Sequence, residues 1–114
     1  MQYLVILNDP PDGTERSYNG LRLALVRSDY AAVTAFLMGD AAGCALAGQA
    51  TPHGHYNLER MVKELAGRGA RIGVCSPCMD TRGIKAKGLI DGARLSSMDE
   101  LAGWTQAADK VAVL

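Results

Sequence analysis

A chain of 114 residues with 48% hydrophobic content and no net formal charge is long enough to bury one core, and its composition excludes disorder. The balanced charge argues against a nucleic-acid or anionic-membrane partner, and 5% aromatic content leaves little for a base-stacking platform. Three cysteines, an odd number and not spread as a disulfide framework, favour a reducing compartment, so a cytoplasmic location is expected.

The opening "MQYLVILNDPP" lacks a basic flank and its apolar run stops after Leu7, so residues 3–7 are expected to form a first strand and not a secretion signal. Ser17 is placed to open a helix reaching about Asp29, with Leu21, Ala24, Leu25 and Ser28 along one side. Residues 33–38 read as a second strand. The most apolar window, "AAVTAFLMGDAAGCALAG", which contains this strand, is too short and too interrupted by Asp40 and small residues to span a membrane, which takes about 20 apolar residues.

Nineteen residues, 39–57, then connect this strand to its helix, a length usual for binding loops or lids; the plain alternative, compatible with it, is a short extra helix over 41–47 with ordinary turns around it. Asn57 is placed to cap "LERMVKELAGRG", in which Leu58, Met61, Val62 and Leu65 form an apolar stripe, and Gly67 and Gly69 are positioned for a left-handed exit. A third strand is expected over 71–75, a weaker one over 93–95, and a last one over 110–114. Between the latter two, Ser97 and Glu100 make a capping box for a helix with Leu101 and Trp104 facing inward. Nearly continuous apolar strands alternating with helices imply one α/β domain over residues 1–114, a three-layer sandwich around a mainly parallel sheet of about five strands.

Parallel strands end on one edge of the sheet, which is where such folds bind ligands. That edge gathers "NDPPDGTERS", "GDAAGCALAG" and "CSPCMDTRG", and with them Asp9, Asp40, Cys44, Cys75, Cys78 and Arg82. Cys75 is expected at a strand end, with Ser76 and Pro77 turning the chain into a short helix. Helix-terminal amides and Arg82 would lower its thiol from the free value of about 8.5, against the opposing charge of Asp80. An inert buried cysteine is the plain alternative for Cys75 and the stronger one for Cys44.

A C-x-x-C pair after a strand is also a redox signature, so reversible Cys75–Cys78 disulfide formation stays open, although Gly83 breaks the helix that follows. Structural zinc asks for a second close-spaced pair that the sequence lacks, and His53 and His55 in "HGH" read as solvated turn residues; no metal and no cofactor is expected. The segment "GDAAGCALAG" fits neither GxGxxG nor GxxxxGK[ST], and Lys85 and Lys87 read as a solvated face.

The pieces "SYNGLRLAL", "FLMGDAAGCALAGQATPHGHYNLERM", "CSPCMDTRG" and "SMDELAGWTQAADKVAVL" together resemble the DsrE/DsrF-like sulfur-relay proteins over nearly the whole chain. The resemblance implies a flavodoxin-like parallel α/β sandwich assembling into homotrimers or homohexamers. It also implies a cysteine, eight residues before the Gly of an Arg-Gly pair, that carries sulfur as a persulfide. Cys75 and Arg82–Gly83 match that spacing; with the residues that topology gathers at the rim, the candidate binding residues are Asp9, Asp40, Cys44, Arg82 and Gly83. The additional Cys78 and the long second connection are similar to the stand-alone, single-chain branch. On this reading the protein is a sulfur carrier or sulfurtransferase-like relay, with Cys78 as a resolving thiol and donor and acceptor proteins as partners. The reading from a different class is a non-catalytic oligomer holding a small ligand or peptide at the same rim.

Overall fold

The computed structural model describes residues 1–49 and 57–114. In chain order it contains β1 (Gln2–Leu7), α1 (Arg16–Arg27), β2 (Ala32–Leu37), a 3-10 helix (Gly39–Ala45) and α2 (Leu58–Gly67). There follow β3 (Arg71–Cys75), α3 (Ser76–Thr81), a 3-10 turn (Ala86–Gly88), β4 (Ala93–Ser96), α4 (Met98–Ala107) and β5 (Lys110–Val113). The five strands form one wholly parallel sheet in the order β4-β3-β2-β1-β5. Among the described residues no helix is long and apolar enough to cross a membrane.

Strand order decides which face each helix covers. From β1 to β4 the chain steps across the sheet in one direction, and right-handed crossovers put α1 and α2 together on one face. The last crossover returns past β3, β2 and β1 to reach β5 beside β1, which sends α4 to the opposite face.

Side chains alternate between these faces with the strand period of two. Val5, Leu7, Ala35, Leu37, Ile72 and Val74 meet Leu21, Ala24, Val62 and Leu65 in the larger layer. Leu4, Ile6, Phe36 and Cys75 meet Leu101 and Trp104 in the smaller one. The three inner strands are buried along all but their first residue, which is why they read as continuous apolar runs. β5 departs from the sequence expectation. It is an edge strand that α4 does not reach over, so Val111 and Val113 are 45% and 64% exposed.

The caps divide in the same way. Asn57 accepts the Arg60 N–H at 3.0 Å, as expected. Ser97 accepts the Glu100 N–H at 3.2 Å, but the Glu100 carboxylate is engaged by Arg94 at 2.9 Å and by the Ser96 hydroxyl, tying α4 to the end of β4. Ser17 does not open α1. It lies inside the helix, fully buried, and donates to the Asp9 carbonyl at 2.6 Å, while Glu15 occupies the N-cap position. Of the two glycines after α2, Gly69 takes the left-handed conformation (φ +90°) and Gly67 is simply its last helical residue.

Gly73 sits on the α4 side of β3 with the Trp104 ring directly above it. A Cβ built there would stand 2.8 Å from Trp104 Cη2 and 2.9 Å from the Ser96 Cβ. Trp104 is held in place by an edge-to-face contact with Phe36, at 6.1 Å between centroids, and by Arg71 and Arg94 guanidinium groups at 5.1 and 5.6 Å from its ring. Gly73→Ala is therefore expected to lower stability by about 1–3 kcal/mol, through overpacking. Urea denaturation should show a lower midpoint with an unchanged slope; an unchanged midpoint would contradict the packing described.

Candidate functional site

β1, β2 and β3 pair in parallel, Leu7 opposite Leu37 and Leu37 opposite Val74, so the chain leaves all three at the same edge. Cys75 is the last residue of β3 and Ser76 the first of α3, with Pro77 in the first turn, where its missing N–H costs nothing. The strand period turns Cys75 toward α4, into the cluster of Leu4, Ile6, Phe36, Leu101 and Trp104, and leaves it 6% exposed. Cys78, one turn later, is partly exposed at the end of the sheet and touches both core layers.

Facing these thiols is the exit of β2. Gly39, at φ +57°, turns the chain sharply after the strand, a left-handed conformation that favours glycine. The turn aims its backbone N–H at the Cys78 sulfur, N to Sγ 3.2 Å. The next residue, Asp40, accepts two hydrogen bonds on Oδ1 from Arg82, from Nε at 3.0 Å and Nη2 at 2.8 Å. Arg82 Nη1 also donates to the Cys78 carbonyl at 3.1 Å. The Gly39–Asp40 turn thus grips Cys78 at its sulfur directly and at its carbonyl through Arg82. With Asp40 and Arg82 side chains 63% and 33% exposed, the ion pair adds no more than about 1 kcal/mol to stability. Its consequence is positional.

The expected lowering of the Cys75 thiol is not what the structure produces. Burial raises it, and hydrogen bonding with the Cys78 sulfur raises it further. The Cys78 amide and the Arg82 charge pull the other way without prevailing. The Cys75 side chain makes no capping hydrogen bond to α3, and a six-residue helix gathers little dipole.

Asp9 and Cys44 lie on the same rim but form a separate, structural contact. The Asp9 carbonyl accepts from the Ser17 hydroxyl and, at 3.7 Å, from the Cys44 thiol, while its carboxylate accepts from Thr14 at 2.8 Å within its own loop. Cys44 has no exposure and burial pushes its thiol up to about 12, so it is the small buried hydrophobe of the plain reading. Gly83 (φ +68°) ends α3 and lets the Ile84 N–H return to the Met79 carbonyl at 2.9 Å; its contribution is backbone conformation. The short helix expected in the long connection is present as 3-10 turns over Gly39–Ala45, and Leu46 then bridges to Leu89. His53 and His55 lie outside the described residues.

The one participant that the sequence reading did not single out is the Gly39 amide. A glycine immediately after an apolar strand marks a sharp turn, but the direction in which its N–H points depends on which strand lies next door.

Residues 1–114 match the profile described as the DsrE/DsrF-like family. The chain is 39% identical over 115 residues to protein YchN of Escherichia coli, covering 97% of each. It is 34% identical over 112 residues to a protein of Methanocaldococcus jannaschii, again covering 97% of each. A crystal structure of the Escherichia coli ychN protein superposes with a TM-score of 0.89 at 36% identity, covering 100% of both chains.

The Cys44 environment gives a pH prediction. Folding keeps a proton on this thiol up to about 12, whereas the unfolded chain releases it near 9, the ordinary value. Between these limits the unfolded state binds fewer protons, so stability contributed by the neutral thiol is complete below about 9 and is lost as pH rises. Urea midpoints taken from about pH 7 to about pH 10 should fall for the wild type and fall less steeply for Cys44→Ala. Equal slopes would show that Cys44 is not held neutral by its burial.

Proposed function

The chain belongs to the DsrE/DsrF-like family, a family associated with sulfur relay, and from that premise we propose that it is a sulfur carrier built on Cys75 and Cys78. The observation that supports this most is the pairing of two free thiols at the end of a central strand, one of them accepting the Gly39 amide. Catalysis by a sulfur nucleophile needs a donor aimed where charge develops as an S–S bond breaks, and this amide is such a donor.

In the proposed cycle a cysteine sulfur attacks the outer sulfur of a donor persulfide, R–S–SH. The donor's S–S bond breaks toward its inner sulfur, RSH leaves, and the protein holds the sulfane sulfur as a cysteine persulfide. An acceptor thiolate then attacks that outer sulfur and carries it away, returning the cysteine. Each exchange transfers one sulfur with no net oxidation. The spacing of Cys75, eight residues before Gly83, supports Cys75 as the residue that holds the persulfide. The apolar cluster of Phe36, Leu101 and Trp104 would shield it from reductants.

The partners of this reading are a donor and an acceptor carrying thiols, in a cytoplasmic setting where all three cysteines stay reduced. A closed homotrimer or homohexamer belongs to the same proposal. The unpaired edge of β5, with Val111 and Val113 exposed, is a surface that a second copy would cover.

Incubating the reduced protein with glutathione persulfide tests the chemistry. Intact mass should rise by one sulfur, about 32 Da, in the wild type and in Cys44→Ser, and should not change in the Cys75→Ser/Cys78→Ser double variant. Equal loading of the double variant would remove the proposal. Assembly is tested by sedimentation velocity, which should show a closed multiple of the 12.1 kDa chain; a monomer at micromolar concentration would contradict it.

A further inference from the structure

The two thiols are not equivalent, and the difference gives them an order. Cys75 is 6% exposed and enclosed on the α4 side, whereas Cys78 is partly exposed at the sheet end. Attack on a persulfide requires the nucleophile, the outer sulfur and the departing sulfur to lie nearly in line, so the donor's own bulk must fit behind the transferred atom. Cys78 is the thiol with solvent exposure, so a donor meets it first. At Cys75 the walls are the packed side chains of Phe36, Leu101 and Trp104, and Cys78, one turn further along the chain, packs against that same cluster from the sheet end.

We infer that sulfur enters at Cys78 and is passed inward to Cys75, so that the protein contains a two-thiol relay with an outer entry site and an inner storage site. The inference rests on the carrier reading and replaces the resolving role for Cys78 with an entry role.

In the first step Cys78 Sγ bonds to the outer sulfur of R–S–SH, the R–S–S bond breaks, and RSH departs. The Gly39 N–H, 3.2 Å from Cys78 Sγ, is in place for the charge on this sulfur before attack. In the second step Cys75 Sγ bonds to the same outer sulfur and the Cys78 S–S bond breaks. The Cys75 thiol proton passes to the departing Cys78 sulfur, three residues on in the same turn of chain. The sum, Cys78–S–SH plus Cys75–SH giving Cys78–SH plus Cys75–S–SH, conserves atoms, protons and oxidation level. The Gly39 amide reappears here as the donor to the leaving sulfur, and the Asp40–Arg82 pair, through the Cys78 carbonyl, holds Cys78 in register with it.

The small-molecule probe is glutathione persulfide, added to the reduced protein and quenched at intervals by alkylation. Residues 72–82 form one tryptic peptide containing both thiols, and fragment ions between positions 75 and 78 locate the added sulfur. In the wild type the adduct is expected on Cys78 first and on Cys75 later. Cys75→Ser should stop with sulfur on Cys78, and Cys78→Ser should load Cys75 more slowly than wild type by at least roughly tenfold.

The time order in the wild type needs no variant to fold. Sulfur appearing first on Cys75, or wild-type loading in Cys78→Ser, would overturn the relay while leaving the carrier reading intact. No added sulfur on the wild type at all would overturn the carrier reading, and the relay with it.

Discussion

Because β2 and β3 run parallel, paired from Thr34 and Arg71 to Leu37 and Val74, their chains leave the sheet side by side, and the chemistry of the rim follows from what those two exits carry. The exit of β2 is Gly39–Asp40 and the exit of β3 is Cys75 followed by the short helix to Thr81. A hydrogen bond from the Gly39 backbone N–H to Cys78 Sγ joins them across 39 positions of sequence, beside the Arg82–Asp40 pair. The sheet makes this contact inexpensive: its strands already fix both ends, so little further ordering is needed to bring amide and sulfur together. An antiparallel neighbour would have delivered a strand beginning to the same place, with different residues on it.

The second constraint is the unequal covering of the two faces. One crossover only returns across the sheet, so one helix must close the α4 side, and it does so with a single large ring. Trp104 lies over Gly73 and against Phe36, and this packing roofs the end of β3 where Cys75 emerges. The burial that raises the Cys75 thiol is thus a consequence of strand order and of a glycine two residues earlier. The edge of the same layer, around Val111 and Val113, stays uncovered for the same reason.

Much of this was legible in the sequence. Apolar runs, the Asn57 and Ser97 caps and the inward residues Val62, Leu65, Leu101 and Trp104 follow from local pattern, and the parallel sheet followed from strand–helix alternation. What local pattern missed was set by distant partners. Ser17 resembles an N-cap by type, but the returning Asp9 carbonyl takes its hydroxyl and draws it into the core. The last strand resembles an inner strand by composition, yet its place at the sheet edge exposes it. Cys75 and Cys78 were correctly placed at the rim with Asp40 and Arg82, but which thiol is enclosed and which meets an amide depends on strand parity and on Gly39. Neither is readable from the motif alone.

The most direct test of the account is a crystal structure of the reduced protein after brief exposure to a persulfide donor, with sulfur positions located by anomalous scattering. An additional sulfur atom bonded to Cys75 Sγ or Cys78 Sγ, with the Gly39 amide still directed at the Cys78 sulfur, is the result predicted. Two unmodified thiols beside an intact donor, or a Gly39 amide turned away from Cys78, would contradict it.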